Sequence, residues 1–263
     1  MTLMHLFLLA AIQGVTEFLP VSSSGHLALV SMVSPLPDQG VLIDVALHGG
    51  TLLAVMAYFR HDVRIMLLGL IDLVLRRPSK AAATSQFMIM ATLPVLIAGA
   101  LLLVTNTHAV LRQPEIIGWA SIAFAIPLYF VDRIAPRRDL TSLTHRDAMW
   151  LGLAQMLSLI PGASRSGVTM TAGRALGFSR PDAAHYSMLM AIPVIAVFTI
   201  LGLVDLARAP DPTALEDGLI AAAGAAVFAF ATIHGFMKLT ARLSFTPFVI
   251  YRLVLGGAIL WLL

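Results

Sequence analysis

Gln13-Gly14-Val15-Thr16-Glu17-Phe18-Leu19-Pro20-Val21-Ser22-Ser23-Ser24-Gly25-His26 closes an apolar run that begins at Leu3, breaking it at a proline followed by three serines and a glycine. A second apolar run, Met149 to Ile160, breaks at Pro161-Gly162 and passes into Ala163-Ser164-Arg165-Ser166-Gly167. Each is too short and too abruptly interrupted to cross ~30 Å of hydrocarbon, which takes a helix of ~20 residues. Gln13, Ser22, Ser24 and Gly25 recur at the same spacing as Gln155, Ser164, Ser166 and Gly167.

Composition makes lipid the surrounding medium. Of 263 residues 59% are hydrophobic and 12% charged, with mean hydropathy +0.89, whereas soluble domains carry about 25% charged residues. Cysteine is absent, which excludes thiolate metal sites, disulfides and cysteine-based phosphatases. Met1 to Gln13 lacks a basic leader and a small-residue cleavage site, so a removable signal peptide is not expected. Nothing points to nucleic acid as a partner.

Apolar runs and breakers predict six spans, near 41–59, 87–104, 116–131, 183–204, 218–237 and 245–263. The connections after spans one, three and five carry Arg60, Arg64, Arg76, Arg77, Lys80, Arg133, Arg137, Arg138, Arg146, Lys238 and Arg242. Those after spans two and four carry only Arg112 and Arg208. The positive-inside rule makes the first group cytoplasmic and turns the segment from Ala207 to Asp217, with Asp211, Glu216 and Asp217, outward. The two broken segments must then enter and leave from opposite faces. The expected fold is an all-α polytopic membrane protein, a single integral membrane domain over 1–263. It is an inverted-topology repeat with halves of about 1–131 and 146–263, about six transmembrane helices and two re-entrant broken segments, in the pattern that places a binding site near the midplane.

Several residue types at the breaks suit phosphoryl chemistry on a substrate already in the bilayer. Gln13 and Glu17 share a face if their stretch is helical, and a carboxylate in apolar surroundings is read first as functional. The serines and Gly25 begin a half-helix whose free N–H groups favour an anion. His26 stands three residues after Ser23, within reach to act as its base. Arg165, among Ser164, Ser166, Thr169 and glycines including Gly162, offers a fork that matches phosphate oxygens. Singly, each has an ordinary reading: a serine cap, an interior histidine, a snorkelling arginine. Asp44 and His48 could line the cavity or sit at the interface, and the thirteen methionines are packing residues. The conjunction carries the functional reading.

The run from Gln13 to Leu27 and the run Pro161-Gly162-Ala163-Ser164-Arg165-Ser166-Gly167-Val168-Thr169 resemble the two signature motifs of bacterial undecaprenyl-diphosphate phosphatase, the bacitracin-resistance family. The resemblance extends through Asp44 to His48, Ser179-Arg180 and Ser244-Phe245 to Tyr251-Arg252, nearly the whole chain. It implies hydrolysis of a polyprenyl pyrophosphate to regenerate the lipid carrier of peptidoglycan synthesis, at the outer face of the bacterial plasma membrane, with a homodimer possible. By motif position it implies functional roles for Glu17, Ser23, His26 and Arg165, and phosphate or substrate contacts from Gln13, Ser22, Ser24, Gly25, Gly162, Ser164, Ser166 and Thr169. It also implies a divalent cation, magnesium or calcium, on Glu17. Some members have glutamate where this chain has Gln13, so the ion would rest on one carboxylate, substrate oxygens and water. Gly49 stands where a larger residue is expected. Phosphoserine formation and direct attack of water both remain open. Acid-phosphatase-like lipid phosphatases also use Ser-Gly-His, but their downstream Ser-Arg-x5-His is not met, because Thr171 occupies the histidine's place. A transporter or lipid flippase of the same architecture is the rival reading.

Overall fold

The computed structural model describes residues 1–33, 40–105, 107–208 and 212–263. Among these residues are twelve α-helices: α1 Leu3–Thr16, α2 Ser23–Val33, α3 Gly40–Tyr58, α4 Arg60–Val74, α5 Lys80–Val104, α6 His108–Leu111, α7 Pro114–Val131, α8 His145–Met156, α9 Arg165–Ala175, α10 Arg180–Arg208, α11 Pro212–Thr240 and α12 Thr246–Trp261. Asp211, expected on an outward connection, lies outside the described residues.

Among the described residues, five helices are long and apolar enough to cross a membrane: α3, α5, α7, α10 and α11. They coincide with the first five expected spans. The sixth is α12, whose 16 residues rise about 24 Å, shorter than a full crossing. Large apolar side chains such as Leu53, Leu93, Ile97, Trp119, Phe130 and Leu203 are exposed. So broad an apolar exterior suits acyl chains and not water.

Helices approach where side chains are smallest, since van der Waals contact, not the hydrophobic effect, drives association in lipid. A Cβ on Gly50 of α3 would stand 2.1 Å from Ala222 O of α11, and one on Gly202 of α10 would stand 2.1 Å from Val45 of α3. Gly118 and Gly256 bring α7 and α12 together in the same way. Gly49 has room, with a Cβ meeting only Thr199 at 3.5 Å. The packing exchanges the halves: α1 lies on α11 as α8 lies on α5, while α3 crosses α10 and α7 pairs with α12.

Two elements differ from expectation. Residues 60–74 form the helix α4, not a loop. Its charged Arg60, Asp62, Arg64 and Asp72 dilute the apolar signal, yet Gly69 packs on Ala81 and Ser85, and Ser85 Oγ donates to Met66 O at 2.7 Å. The second broken segment begins earlier than Met149, because Thr144 and Asp147 form a reciprocal capping box at the start of α8.

Asp132, 2% exposed, gathers one end of the bundle. It accepts from Arg180 Nε at 2.6 Å and from the Phe245 N–H at 2.9 Å, and Arg174 lies beside it. Nearby, outside the spans, Arg138 forks onto Asp147 at 3.1 and 2.7 Å. The Arg138 hydrogen bond, with those from Thr144, holds the Asp147 carboxyl down at about 2, from an ordinary 3.8. A lowered folded-state value stabilises above the unfolded value and is lost as pH falls through the folded one. Asp147→Ala should therefore lower stability by about 1–2 kcal/mol at neutral pH, a gap that narrows between pH 4 and 2 in thermal unfolding of detergent-solubilised protein. A gap independent of pH would remove the charged pair from the account.

Candidate active site

Both broken segments end in the same local structure. Ser22 and Ser164 have φ of 72° and 68°, a left-handed conformation that costs a residue bearing a Cβ about 1–3 kcal/mol unless the surroundings impose it. Each serine caps the helix it precedes: Ser22 Oγ accepts the Gly25 N–H and Ser164 Oγ accepts the Gly167 N–H, both at 3.2 Å. The hydroxyls of Ser22 and Ser24 meet at 3.1 Å, and those of Ser164 and Ser166 at 3.2 Å. The breaks are also tied to each other. The Gly162 N–H donates to Ser24 Oγ at 3.0 Å, and Ser166 Oγ donates to Leu19 O at 2.7 Å. Gly162 has φ 94°, and a Cβ there would stand 2.3 Å from Ile117 O, so glycine is required at this turn.

Glu17 lies where the segments join. Gln13 Nε2 donates to its Oε2 at 2.9 Å and Ser23 Oγ donates to the same oxygen at 3.4 Å. Arg165 Nη2 faces Oε1 at 3.4 Å, and its Nη1 donates to Ser187 O of α10 at 3.0 Å. The two charged side chains are only 9% and 11% exposed, so each is the other's compensation. His48 turns Nε2 toward Glu17 at 3.9 Å while its Nδ1 meets Asp44 O at 2.8 Å, which puts His48 on the cavity side of the two readings left open for it.

The serines divide by what their hydroxyls do. Ser22, Ser24, Ser164 and Ser166 belong to the scaffold of caps and cross-ties. Thr169 is 1% exposed; its hydroxyl donates to Arg165 O at 2.8 Å and meets Ser187 Oγ at 2.7 Å, pinning α9 to α10. Ser23 has one long bond, to a carboxylate. His26 does not pair with Ser23: its Nδ1 donates to Ser22 O at 2.7 Å, and its Nε2 accepts from Tyr251 Oη at 2.6 Å under a stacked ring. Spacing leaves His26 within reach of Ser23; in the structure Glu17 takes that place, because the His26 ring folds back onto the turn that precedes it. Tyr251, Ser187, Ser121 and Arg252 also reach the breaks from distant elements.

For a metal the donor set is thin. Among the described residues no group of three or more His, Cys, Asp or Glu is placed to hold an ion. Glu17 with the Gln13 carbonyl would suit only a hard cation that keeps water and takes substrate oxygens, the habit of magnesium.

A family model described as bacitracin resistance protein BacA matches residues 6–258. The chain belongs to the BacA family. Among its relatives, the protein named undecaprenyl-diphosphatase from Roseobacter denitrificans is 48% identical over 259 residues, 97% of each chain. Those of the same name from Ruegeria pomeroyi and Maricaulis maris are 47% and 44% identical, covering 99% of this chain and 98% of theirs. No large insertion therefore separates this BacA-family site from theirs.

Removing one member of a buried ion pair strands the other. Glu17→Ala should cost about 3–5 kcal/mol of stability, and Glu17→Ala combined with Arg165→Met should recover much of it. Thermal unfolding in detergent reads both, and additive losses would show that the pair is not coupled.

Proposed function

We propose that this BacA-family protein hydrolyses undecaprenyl diphosphate to undecaprenyl phosphate and inorganic phosphate, recycling the lipid carrier of peptidoglycan synthesis. The observation that carries the reading is the Ser23–Glu17–Arg165 constellation between two cross-tied helix starts within an apolar bundle. The names of relatives that cover the chain end to end support it. A flippase needs an anion site; it does not need a hydroxyl set against a carboxylate.

In the proposed mechanism the terminal phosphate draws the Arg165 fork away from Glu17 and leaves the carboxylate free to accept a proton. Ser23 Oγ attacks phosphorus, its proton passes to Glu17 Oε2, and the bridging P–O bond breaks to release the lipid monophosphate. Water then cleaves the phosphoserine as Glu17 returns the proton to Ser23 Oγ, and inorganic phosphate departs. Arg165 meets the charge that develops on the equatorial oxygens. A bound divalent ion, held by Glu17 and the Gln13 carbonyl, would neutralise further phosphate charge. His26, fixed by Tyr251, stands beside this path and not in it.

The fold reading that goes with this function is an inverted repeat whose halves start at the two breaks, supported by the matched conformations of Ser22 and Ser164 and by the exchanged helix pairings. The Lys and Arg distribution supports a plasma-membrane orientation with the Glu216 end outside and the Arg137 end in the cytoplasm. The chain has no cysteine, so single cysteines at Glu216 and Arg137 should be labelled by an impermeant reagent from opposite faces. Labelling of both from one face would sink the inverted arrangement.

Purified protein in detergent should release phosphate from a polyprenyl diphosphate, which a pure transporter would not. Ser23→Ala should lose at least about a thousandfold in turnover, Glu17→Gln a similar factor, and the double variant little more, as for residues that act as a unit. Loss of a single transition-state hydrogen bond would cost Ser23→Ala only about a hundredfold. That smaller loss, with no phosphoenzyme on rapid quenching, would replace the serine by water. Arg165→Lys, which keeps the charge but not the fork, should lose most activity.

A further inference from the structure

Arg252 of α12 is an arginine at 0% exposure inside the membrane domain. Its Nε donates to Ser121 O at 3.2 Å and its Nη2 to Gly162 O at 3.0 Å, both neutral carbonyls. Its Nη1 is buried without any hydrogen-bond partner. Arg165 and Arg174 each face a carboxylate, at 3.4 and 3.8 Å, but Arg252 forms no ion pair among the described residues. A guanidinium enclosed without an opposite charge is costly, and within a membrane domain such a charge is read first as functional.

The position of that free nitrogen supplies its purpose. A Cβ on Gly167 would stand 2.5 Å from Arg252 Nη1 and 3.2 Å from Ser164 Oγ, so Nη1 is aimed at the first turn of α9. There the Ser164 cap takes the Gly167 N–H, and the N–H groups of Arg165 and Ser166 have no partner among the described residues. Two independent features therefore converge on one place, an open helix N-terminus and an unpartnered guanidinium, and both favour an anion. Only a residue without a side chain lets them come so close, which accounts for the glycine at 167. The same guanidinium fastens Gly162, whose N–H holds Ser24, so the second break is tied to the first through the group that awaits the anion.

We propose that Arg252 and the first turn of α9 form a second phosphate subsite, which holds the phosphate that stays on the lipid while Arg165 takes the one being transferred. The inference rests on the diphosphate reading above and adds how the site counts phosphates. Two arginines serve two phosphates: Arg165 already has a partner to give up, and Arg252 has none. The ligand class is a diphosphate monoester, and inorganic pyrophosphate should compete for both subsites where inorganic phosphate fills one.

The test is equilibrium binding, read as the thermal shift of the full-length protein in detergent titrated with inorganic pyrophosphate and, separately, inorganic phosphate. Wild-type protein should bind pyrophosphate at least about tenfold more tightly than phosphate. Arg252→Gln should weaken pyrophosphate roughly ten- to hundredfold, the loss of one charge-assisted contact, while phosphate changes less than about threefold; the KM for a polyprenyl diphosphate should rise in parallel. Arg252→Lys should fall between the two. Unchanged pyrophosphate affinity in a variant that merely melts at a lower temperature would reduce Arg252 to a strut for Gly162. If neither variant folds, the wild-type ratio decides, and equal affinities overturn the proposal. Absence of phosphate release by the wild type would fail the hydrolase reading alone, since the binding comparison does not depend on turnover.

Discussion

A chain that interrupts its helices inside hydrocarbon must find partners for every backbone group it frees, because no water is there to take them. Ser22 and Ser164 answer that constraint twice in the same way, with a left-handed residue whose own hydroxyl caps the helix that follows. Two further groups are satisfied across the junction, the Gly162 N–H by Ser24 Oγ and Leu19 O by Ser166 Oγ. Neither break is complete without the other. The site is thus a by-product of solving a solvation problem: the two half-helices come together because each supplies what the other lacks.

Charge follows the same logic. Glu17 and Arg165 come from different segments and compensate each other in an apolar setting, which makes the resting site neutral without emptying it of reactive groups. In the proposed mechanism a phosphate that enters replaces one half of the pair and releases the other, so binding and activation are one event. Ser23, the hydroxyl left out of the scaffold, bonds Glu17 Oε2, the other oxygen from the one that Arg165 faces.

Much of this was legible in the sequence. Proline followed by small polar residues located both breaks, and twenty-residue apolar runs located the five long helices, because backbone solvation and bilayer thickness act locally along the chain. What escaped was decided by contacts between distant segments. The charges of α4 concealed a helix stabilised by Gly69 lying on Ala81. The pairing of Ser23 with Glu17 instead of His26 depends on how the ring turns back to Ser22 and on Tyr251, 225 positions away. Spacing alone put the histidine within reach, and spacing does not carry direction. Arg252 did leave a signal, as a charge in the last apolar run, but its meaning appears only when its nitrogens are matched against acceptors and one is left over.

The correspondence between the breaks aligns Ser23 of one with Arg165 of the other. Residues at equivalent places thus have opposite chemistry, one nucleophilic and one electrophilic, and Glu17 and His26 correspond to Leu159 and Val168. A diphosphate is nearly symmetric about its bridging oxygen, and a cavity with two equal halves would accept it in either sense. In the proposed mechanism the difference at these few positions gives the site polarity, so that one phosphorus is presented to a hydroxyl and the other is not. Where two breaks share their local structure, the single residues at which they differ would tell the site which end of its ligand is which.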